Sequence, residues 1–275
     1  MYLFTSHEYY GRVASLMTTS VDGKRDVELP ANVRAYAYMG GQHVPRVPVR
    51  RNPHDRYPTD PLDYTWSERA LLLRLDAWVK DGTPPPQSRY PRIADSTLVA
   101  PEAVRFPRIA GVATPSPEVV HRAYRLDFGP SWPQGIESLQ PPAVGTAYPV
   151  LVPQVDADGN DIGGLRLPEV AVPLGTYTGW NLRVPSDGFG SHLVDFYGSY
   201  LTFASTQTSR NASGDPRPSI AERYASRERY LAAFDTAARA LARGGYLLEE
   251  DLPAQHARAE TLWTTAHAPP AAAER

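Results

Sequence analysis

MYLFTSHEYYGRVASLMTTSVDGKRDVELPANVRAYAYMGGQHV, residues 1–44, decides the fold. The run Tyr2–Thr5 is rich in β-formers, and the following EYYGRVASLMTTS sets Tyr9, Val13, Leu16 and Met17 on one helical stripe. Turn residues in VDGKRDVELPANV then lead to VRAYAYM, a second strand that stops at Gly40-Gly41. Strand, helix, strand predicts two neighbouring parallel strands joined by a crossover. An apolar β-former run placed at Met1 predicts a chain that starts inside a strand.

Outward from this unit, TWSERALLLRLDAWVKDG reads as an amphipathic helix of about five turns, closed by Gly82 and the prolines 84–86. Residues 84–218 are proline-rich, with short β-like runs such as AYPVLVPQV, and frequent proline disfavours a regular central sheet. This part is expected to be an irregular, mostly β extension. From Ser219, PSIAERYASRERYLAAFDTAARALARGG reads as one helix, with Ser219 and Glu222 as a capping box and Gly244-Gly245 as its stop. A shorter helix follows around PAQHARAETLWTTA. The expected division is therefore 1–83 as α/β, 84–218 as extension and 219–275 as a helical tail.

The chain's net charge of −2 and its mixed signs give no broad electrostatic footprint for nucleic acid. With no cysteine, disulfides, thiolate metal sites and cysteine nucleophiles are excluded. No stretch approaches the roughly 20 apolar residues of a membrane span, and no signal-peptide pattern opens the chain. Neither a nucleic acid nor a membrane is an expected partner, and the compartment stays open.

Chemistry concentrates at the two strand ends. In open α/β sheets, working residues sit in loops beyond the carboxyl ends of strands. Here the first strand leads into His7-Glu8 and the second into Gly40-Gly41-Gln42-His43. A carboxylate and an imidazole so delivered are the acid and base of a hydrolytic triad. The third member, a serine in a G-x-S-x-G elbow, occurs nowhere in the 275 residues.

Three runs carry a family resemblance: residues 3–44, RALLLRLDAWVKDGTPPPQSRYPRIADSTLV and YPVLVPQVDADGNDIGGLRLPEVAVPLGTYTGWNLR, joined by the GDPRPSIAERY helix start. They resemble a large, little-characterised bacterial alpha/beta hydrolase domain family over nearly the whole chain, with RLPEVAVPLGTYTGWNLR the most specific part. The resemblance implies the C-terminal part of an α/β-hydrolase sheet, ester hydrolysis through a serine acyl-enzyme, and neither metal nor organic cofactor. Carried over, Glu8 is the triad acid and His43 the base, while Tyr10 stands where tryptophan is expected and Val44 where glycine is usual. The nucleophile-bearing half implied by the family lies upstream of Tyr2, so the chain is expected to be inactive alone. It is read as a fragment, half of a split enzyme or a non-catalytic binding module. A small-molecule ester is the expected substrate once the nucleophile is supplied, and an apolar N-terminal strand edge predicts self-association.

Each signal has a plainer reading. His43 can be a turn residue, and Glu8 a helix N-terminal acid favoured by the macrodipole. His7, beside the acid, is expected to face elsewhere and be structural. DADGND, residues 156–161, resembles a calcium loop, yet Asp161 and Leu167 stand where Gly and Glu are required, so a tight turn is expected. Ser191-His192 are adjacent and cannot readily form a serine–imidazole hydrogen bond. Tyr177, Trp180, Phe196, Tyr197 and Tyr200 line either a pocket or the core, and Arg210, Arg217, Arg223, Arg227 and Arg229 read as a solvated helix face.

Overall fold

The structure, a computed structural model, describes residues 1–190 and 192–267. In chain order its elements are β1 Tyr2–Thr5, α1 Ser6–Gly11, β2 Ala35–Tyr38, α2 Thr65–Asp81, β3 Leu98–Val99, β4 Tyr124–Asp127, β5 Ala143–Ala147 and β6 Val152–Pro153. They continue with α3 Pro168–Ala171, β7 Gly175–Thr178, β8 Ser199–Thr202, α4 Gln207–Ser213, α5 Ile220–Arg223, α6 Arg227–Arg243 and α7 Leu252–His267. The architecture is mixed α/β, with helices set around several small sheets.

All four residues of β2 are buried, so each of its backbone polar groups needs a partner. On one side β1 supplies them, running parallel in the register Tyr2↔Ala35 to Thr5↔Tyr38, as strand–helix–strand predicts. On the other, two loop segments do the same work. Ala37 N–H donates to Arg89 O and Arg89 N–H to Ala35 O, while Met39 N–H donates to Leu165 O and Leu165 N–H to Ala37 O. β1 has no second strand partner among the described residues, and Tyr2 and Leu3 are exposed along it.

The buried clusters draw on all parts of the chain. One joins Phe4, Tyr9 and Val13 to Val120, Leu151 and Trp180, and another joins Tyr36, Leu62 and Leu71 to Leu165, Tyr177 and Leu241. Full burial of one such large apolar side chain, Met39 for example, contributes about 1.5–3 kcal/mol. The residues between 84 and 218 thus fill the same core as the first strands. No described helix is long and apolar enough to cross a membrane.

Two helices differ from their sequence reading. The stripe predicted over residues 8–20 is broken: α1 stops at Gly11, Val13 takes a left-handed backbone (φ 57°), and a 3-10 turn covers Ala14–Met17. The bend lets Val13 and Ala14 both reach the core, which a straight helix would not, and leaves Met17 exposed. At residue 219 the capping box is real, but it closes only α5. Tyr224 leaves helical geometry and donates its hydroxyl to Pro173 O, and Ser226 then caps α6 by accepting Arg229 N–H. By contrast α2 ends where read, at Gly82 in the left-handed region.

Two of the arginines read as a solvated face, Arg217 and Arg223, turn inward, whereas Arg229 is exposed. Arg217 is buried: its guanidinium meets both Asp215 carboxylate oxygens, Thr176 Oγ1 and Leu201 O, tying the β7–β8 pair to the segment before α5. Arg223 forks onto both oxygens of Asp158. Proline and aspartate in GDPRPSI bend the chain so that these charges turn inward and find carboxylates. Removing Arg217 strands a nearly buried carboxylate, so Arg217→Ala is expected to cost about 3–5 kcal/mol in urea unfolding, against less than about 1 kcal/mol for exposed Arg229→Ala.

Candidate active site

Parallel pairing of β1 with β2 places their carboxyl ends side by side, and each end runs directly into a chemically loaded loop or helix start. After β1, Thr5 is the N-cap of α1, and the helix is closed by a capping box. Glu8 Oε2 accepts from Thr5 N–H and from Thr5 Oγ1, both at 2.6 Å. The other oxygen, Oε1, lies 2.6 Å from His43 Nδ1. The helix-cap and the imidazole-orienting readings of Glu8 are therefore compatible, one oxygen serving each.

After β2 the chain needs two glycines. Gly40 has φ 77°, and a Cβ there would sit 2.9 Å from Tyr177 Cβ. At Gly41 a Cβ would press within 3.3 Å of Thr5 Cβ. This close approach lets His7 N–H donate to Gly41 O at 3.1 Å, stitching the two strand ends together. His43 comes two residues later. Its N–H donates to Phe196 O at 3.0 Å and its carbonyl accepts from the Tyr64 hydroxyl at 2.5 Å.

With Glu8 accepting, Nδ1 of His43 carries the proton and Nε2 keeps its lone pair. The pair is asymmetric in burial: the Glu8 side chain is 17% exposed and that of His43 52%. A sheltered carboxylate thus orients an imidazole whose far side is open. Among the described residues no serine hydroxyl is hydrogen-bonded to His43. Ser191 lies outside the described residues. His192 instead pairs by backbone with Arg183, and its ring packs on Phe189.

Three further residues support this pair, and the sequence does not show that they do so. Asp161, last of the DADGND turn, is buried, and one of its oxygens accepts both Ser6 Oγ–H and Gly40 N–H, the latter at 3.0 Å. It clamps the residue that starts α1 to the chain just beyond β2. Burial pushes this carboxyl up to about 6, against the hydrogen bonds from Ser6 and Gly40. Phe196, with a left-handed backbone (φ 68°), lays its ring 4.9 Å from the His43 ring centroid, with Arg12 over it at 5.2 Å. His7, read as structural, has its ring 6.2 Å from that of His43. It is buried, its Nδ1 bonds Gly179 O at 3.1 Å, and its Nε2 accepts Phe196 N–H at 3.3 Å. At Gly179 any side chain would collide with the backbone of Ser6 and His7.

The aromatic cluster divides. Tyr177, Trp180 and Tyr200 are core, whereas Phe196 stands at the site. The turn predicted at DADGND is present, with Gly159 at φ 80° and Asp156 Oδ1 accepting from Asp158 and Asn160 N–H. No group of three or more metal-ligating side chains occurs among the described residues. Neither Glu8 nor His43 lines the larger cavities: one of about 610 Å³ is walled by Val47, Trp66 and Arg258, one of about 350 Å³ by Phe203, Ser213 and Asp215, and one of about 340 Å³ by Arg34, Arg89 and Arg92 at the other end of β2.

Two titrations act in opposite directions. Desolvation lowers the pKa of His7 below the 6.5 of a free imidazole, partly offset by the Glu8 charge and the Gly179 carbonyl. Below about pH 6.5 the unfolded chain then binds more protons at this position than the folded one, so His7 subtracts stability as pH falls. Asp161, raised instead, takes up its proton in the folded state near pH 6 and adds stability over that range. His7→Gln keeps a donor for Gly179 and an acceptor for Phe196 without an imidazole. Its unfolding free energy is expected to fall less than that of the parent between pH 7 and 5 in urea titrations. Asp161→Ala is expected to broaden or abolish the His43 Nδ1 proton resonance, while Asp161→Asn, which keeps an acceptor oxygen, retains it.

No curated protein and no solved structure matches the chain. The family model described as alpha/beta hydrolase domain matches residues 4–257, which include the second half of β1, all of β2, the Glu8–His43 pair, its supports and the first part of α7. The chain therefore belongs to this alpha/beta hydrolase domain family.

Proposed function

We propose that the chain supplies the acid–base arm of a serine hydrolase that cleaves carboxylic esters. The observation that carries this reading is the 2.6 Å contact between Glu8 Oε1 and His43 Nδ1 at the carboxyl ends of two adjacent parallel strands. In this mechanism His43 Nε2 takes the proton of a serine hydroxyl as its oxygen attacks the ester carbonyl. Glu8 stabilises the imidazolium, which then protonates the departing alcohol. In the second half His43 takes a proton from water, the hydroxide attacks the acyl-enzyme, and the serine is released with its proton restored.

The serine and its oxyanion N–H donors come from polypeptide outside residues 1–275, docked along the open edge of β1. β1 and β2 are then the last two strands of a larger parallel sheet, and residues 84–218 are a family-specific extension that walls one side of the site through Phe196. A second copy adding at the same β1 edge competes with the nucleophile-bearing strand. A purely binding role gives the Glu8–His43 contact no use, and the core location of Tyr177, Trp180 and Tyr200 removes most of the aromatic surface such a role requires.

The test is hydrolysis of p-nitrophenyl butyrate. The chain alone is expected to match the buffer rate. Combined with the polypeptide encoded immediately upstream and carrying a G-x-S-x-G elbow, it is expected to hydrolyse the ester and to label with a fluorophosphonate. His43→Ala is then expected to lower kcat by about 10⁵–10⁶ and Glu8→Gln by about 10⁴. Hydrolysis that survives His43→Ala sinks the proposal, as does a complemented assembly with no activity.

A further inference from the structure

Gln42, which directly precedes His43, is fully buried, and three of its polar groups reach three different parts of the chain. Its backbone N–H donates to Asp60 Oδ2 at 3.1 Å, its Oε1 accepts Gly198 N–H at 2.9 Å, and its Nε2 donates to Val44 O at 2.7 Å. A carbonyl only accepts and a backbone N–H only donates, so these two partners fix which way the carboxamide points. Asp60 is buried as well and uses its other oxygen on Leu62 N–H at 2.8 Å, which ties the start of the His43 turn to the segment before α2.

Any buried carboxamide needs partners. The partners of this one flank the site. Val44 O follows His43, and Gly198 N–H lies just beyond Phe196, whose carbonyl accepts His43 N–H and whose ring lies against the imidazole. The other side chains at this junction each hold one side of it. Glu8 and Tyr64 bond His43, while His7 bonds Phe196 N–H and Asn181 bonds Gly198 O. Among the described residues only Gln42 hydrogen-bonds both residues 42–44 and residues 196–198 through its side chain. The 196–198 side needs such a restraint, because Phe196 has a left-handed backbone that a bulky residue keeps only where its surroundings impose it. At Gly198 a Cβ would overlap the Thr178 carbonyl, so this approach to Gln42 is open to glycine alone.

We infer that Gln42 is a positioning residue whose carboxamide laces the His43 turn to the 196–198 segment and so fixes the imidazole against both Glu8 and the Phe196 ring. The backbone of His43 is held at its N–H by Phe196 O and at its carbonyl by the Tyr64 hydroxyl, but Phe196 O stays in place only if its own segment does. Gln42 closes that dependence by bonding one residue on the far side of each ring, Val44 and Gly198. With the carboxamide gone, the two segments keep a single backbone hydrogen bond between them, and the imidazole gains freedom about its link to Glu8. What a fixed imidazole is for rests on the serine-hydrolase reading, but its position belongs to the chain alone and can be read without any ester.

NMR of the full chain tests this through two signals of the folded protein, the His43 Nδ1 proton and the cross-relaxation between the His43 and Phe196 rings. The parent is expected to show both. Gln42→Met keeps the side-chain volume and removes both side-chain hydrogen bonds. In this variant, folded by circular dichroism, the ring-to-ring cross-peak is expected to vanish and the Nδ1 proton to broaden. At about pH 5, below the titration of a buried glutamic acid, Gln42→Glu restores a carbonyl for Gly198 and a hydroxyl donor for Val44, and is expected to keep both signals. A glutamine needed only by the core would lower the urea midpoint of Gln42→Met and leave both signals of the folded protein as in the parent, and that result overturns the inference. It is overturned too by a parent without the cross-peak, by Gln42→Glu behaving as Gln42→Met does, or by failure of both variants to fold, which assigns Gln42 to folding alone.

Discussion

Everything in the molecule is arranged around a strand that sees no water. Ala35–Tyr38 is buried on both faces, so its amides and carbonyls must be satisfied from within the protein. β1 meets half of the need. The rest falls to Ser88, whose hydroxyl oxygen accepts Ala35 N–H, and to the backbone of Arg89 and Leu165, residues from parts of the chain with little regular structure. Because those two loops must lie along β2, the proline-rich middle of the sequence is held against the first strands and fills the same core. Irregular backbone does the work of a strand where a single pair of hydrogen bonds is enough.

The chemistry rides on the same constraint. Two strands in parallel register finish at the same level, and Gly40 and Gly41 let the chain beyond β2 fold tightly over the start of α1. Glu8 is then fixed twice, by the cap it forms with Thr5 and by the imidazole it orients. Asp161 adds a third restraint from beneath, bonding Ser6 and Gly40 with one carboxylate oxygen. A carboxylate so constrained has little freedom left to lose when the imidazole beside it becomes charged, which is the condition for electrostatic preorganisation.

Local chemistry is legible in the sequence and distant partnership is not. The strands at 2–5 and 35–38, the stop at Gly82, the capping box at Ser219 and the two residues Glu8 and His43 all declare themselves within a few positions, through periodicity, capping or glycine. The break at Val13 does not, because core contacts override the helical stripe. Arg217 looks solvated because its nearest sequence neighbours include other charges, but folding turns it toward Asp215 and the β7–β8 backbone. DADGND reads as a turn and is one. Nothing local says that each polar side chain in it holds a different element: Asp156 its own turn and Arg166, Asp158 the Arg223 guanidinium, Asn160 the β7 backbone, and Asp161 the strand ends.

The separation of these partners along the chain has a consequence for biosynthesis. Asp161 is 155 residues from Ser6, and Phe196 is 189 from His7. At about 5–20 residues per second of translation, β1 has left the ribosome for roughly 10–40 s before the segment bearing Phe196 exists. During that interval Glu8 and His43 can approach one another, but the supports from Asp161, Gly179 and Phe196 do not yet exist, and the apolar edge of β1 is open to any strand nearby. The supported geometry of the Glu8–His43 pair is therefore among the last things synthesis completes, and a nascent-chain holdase acting on the first 40 residues would bear directly on the yield of folded molecules.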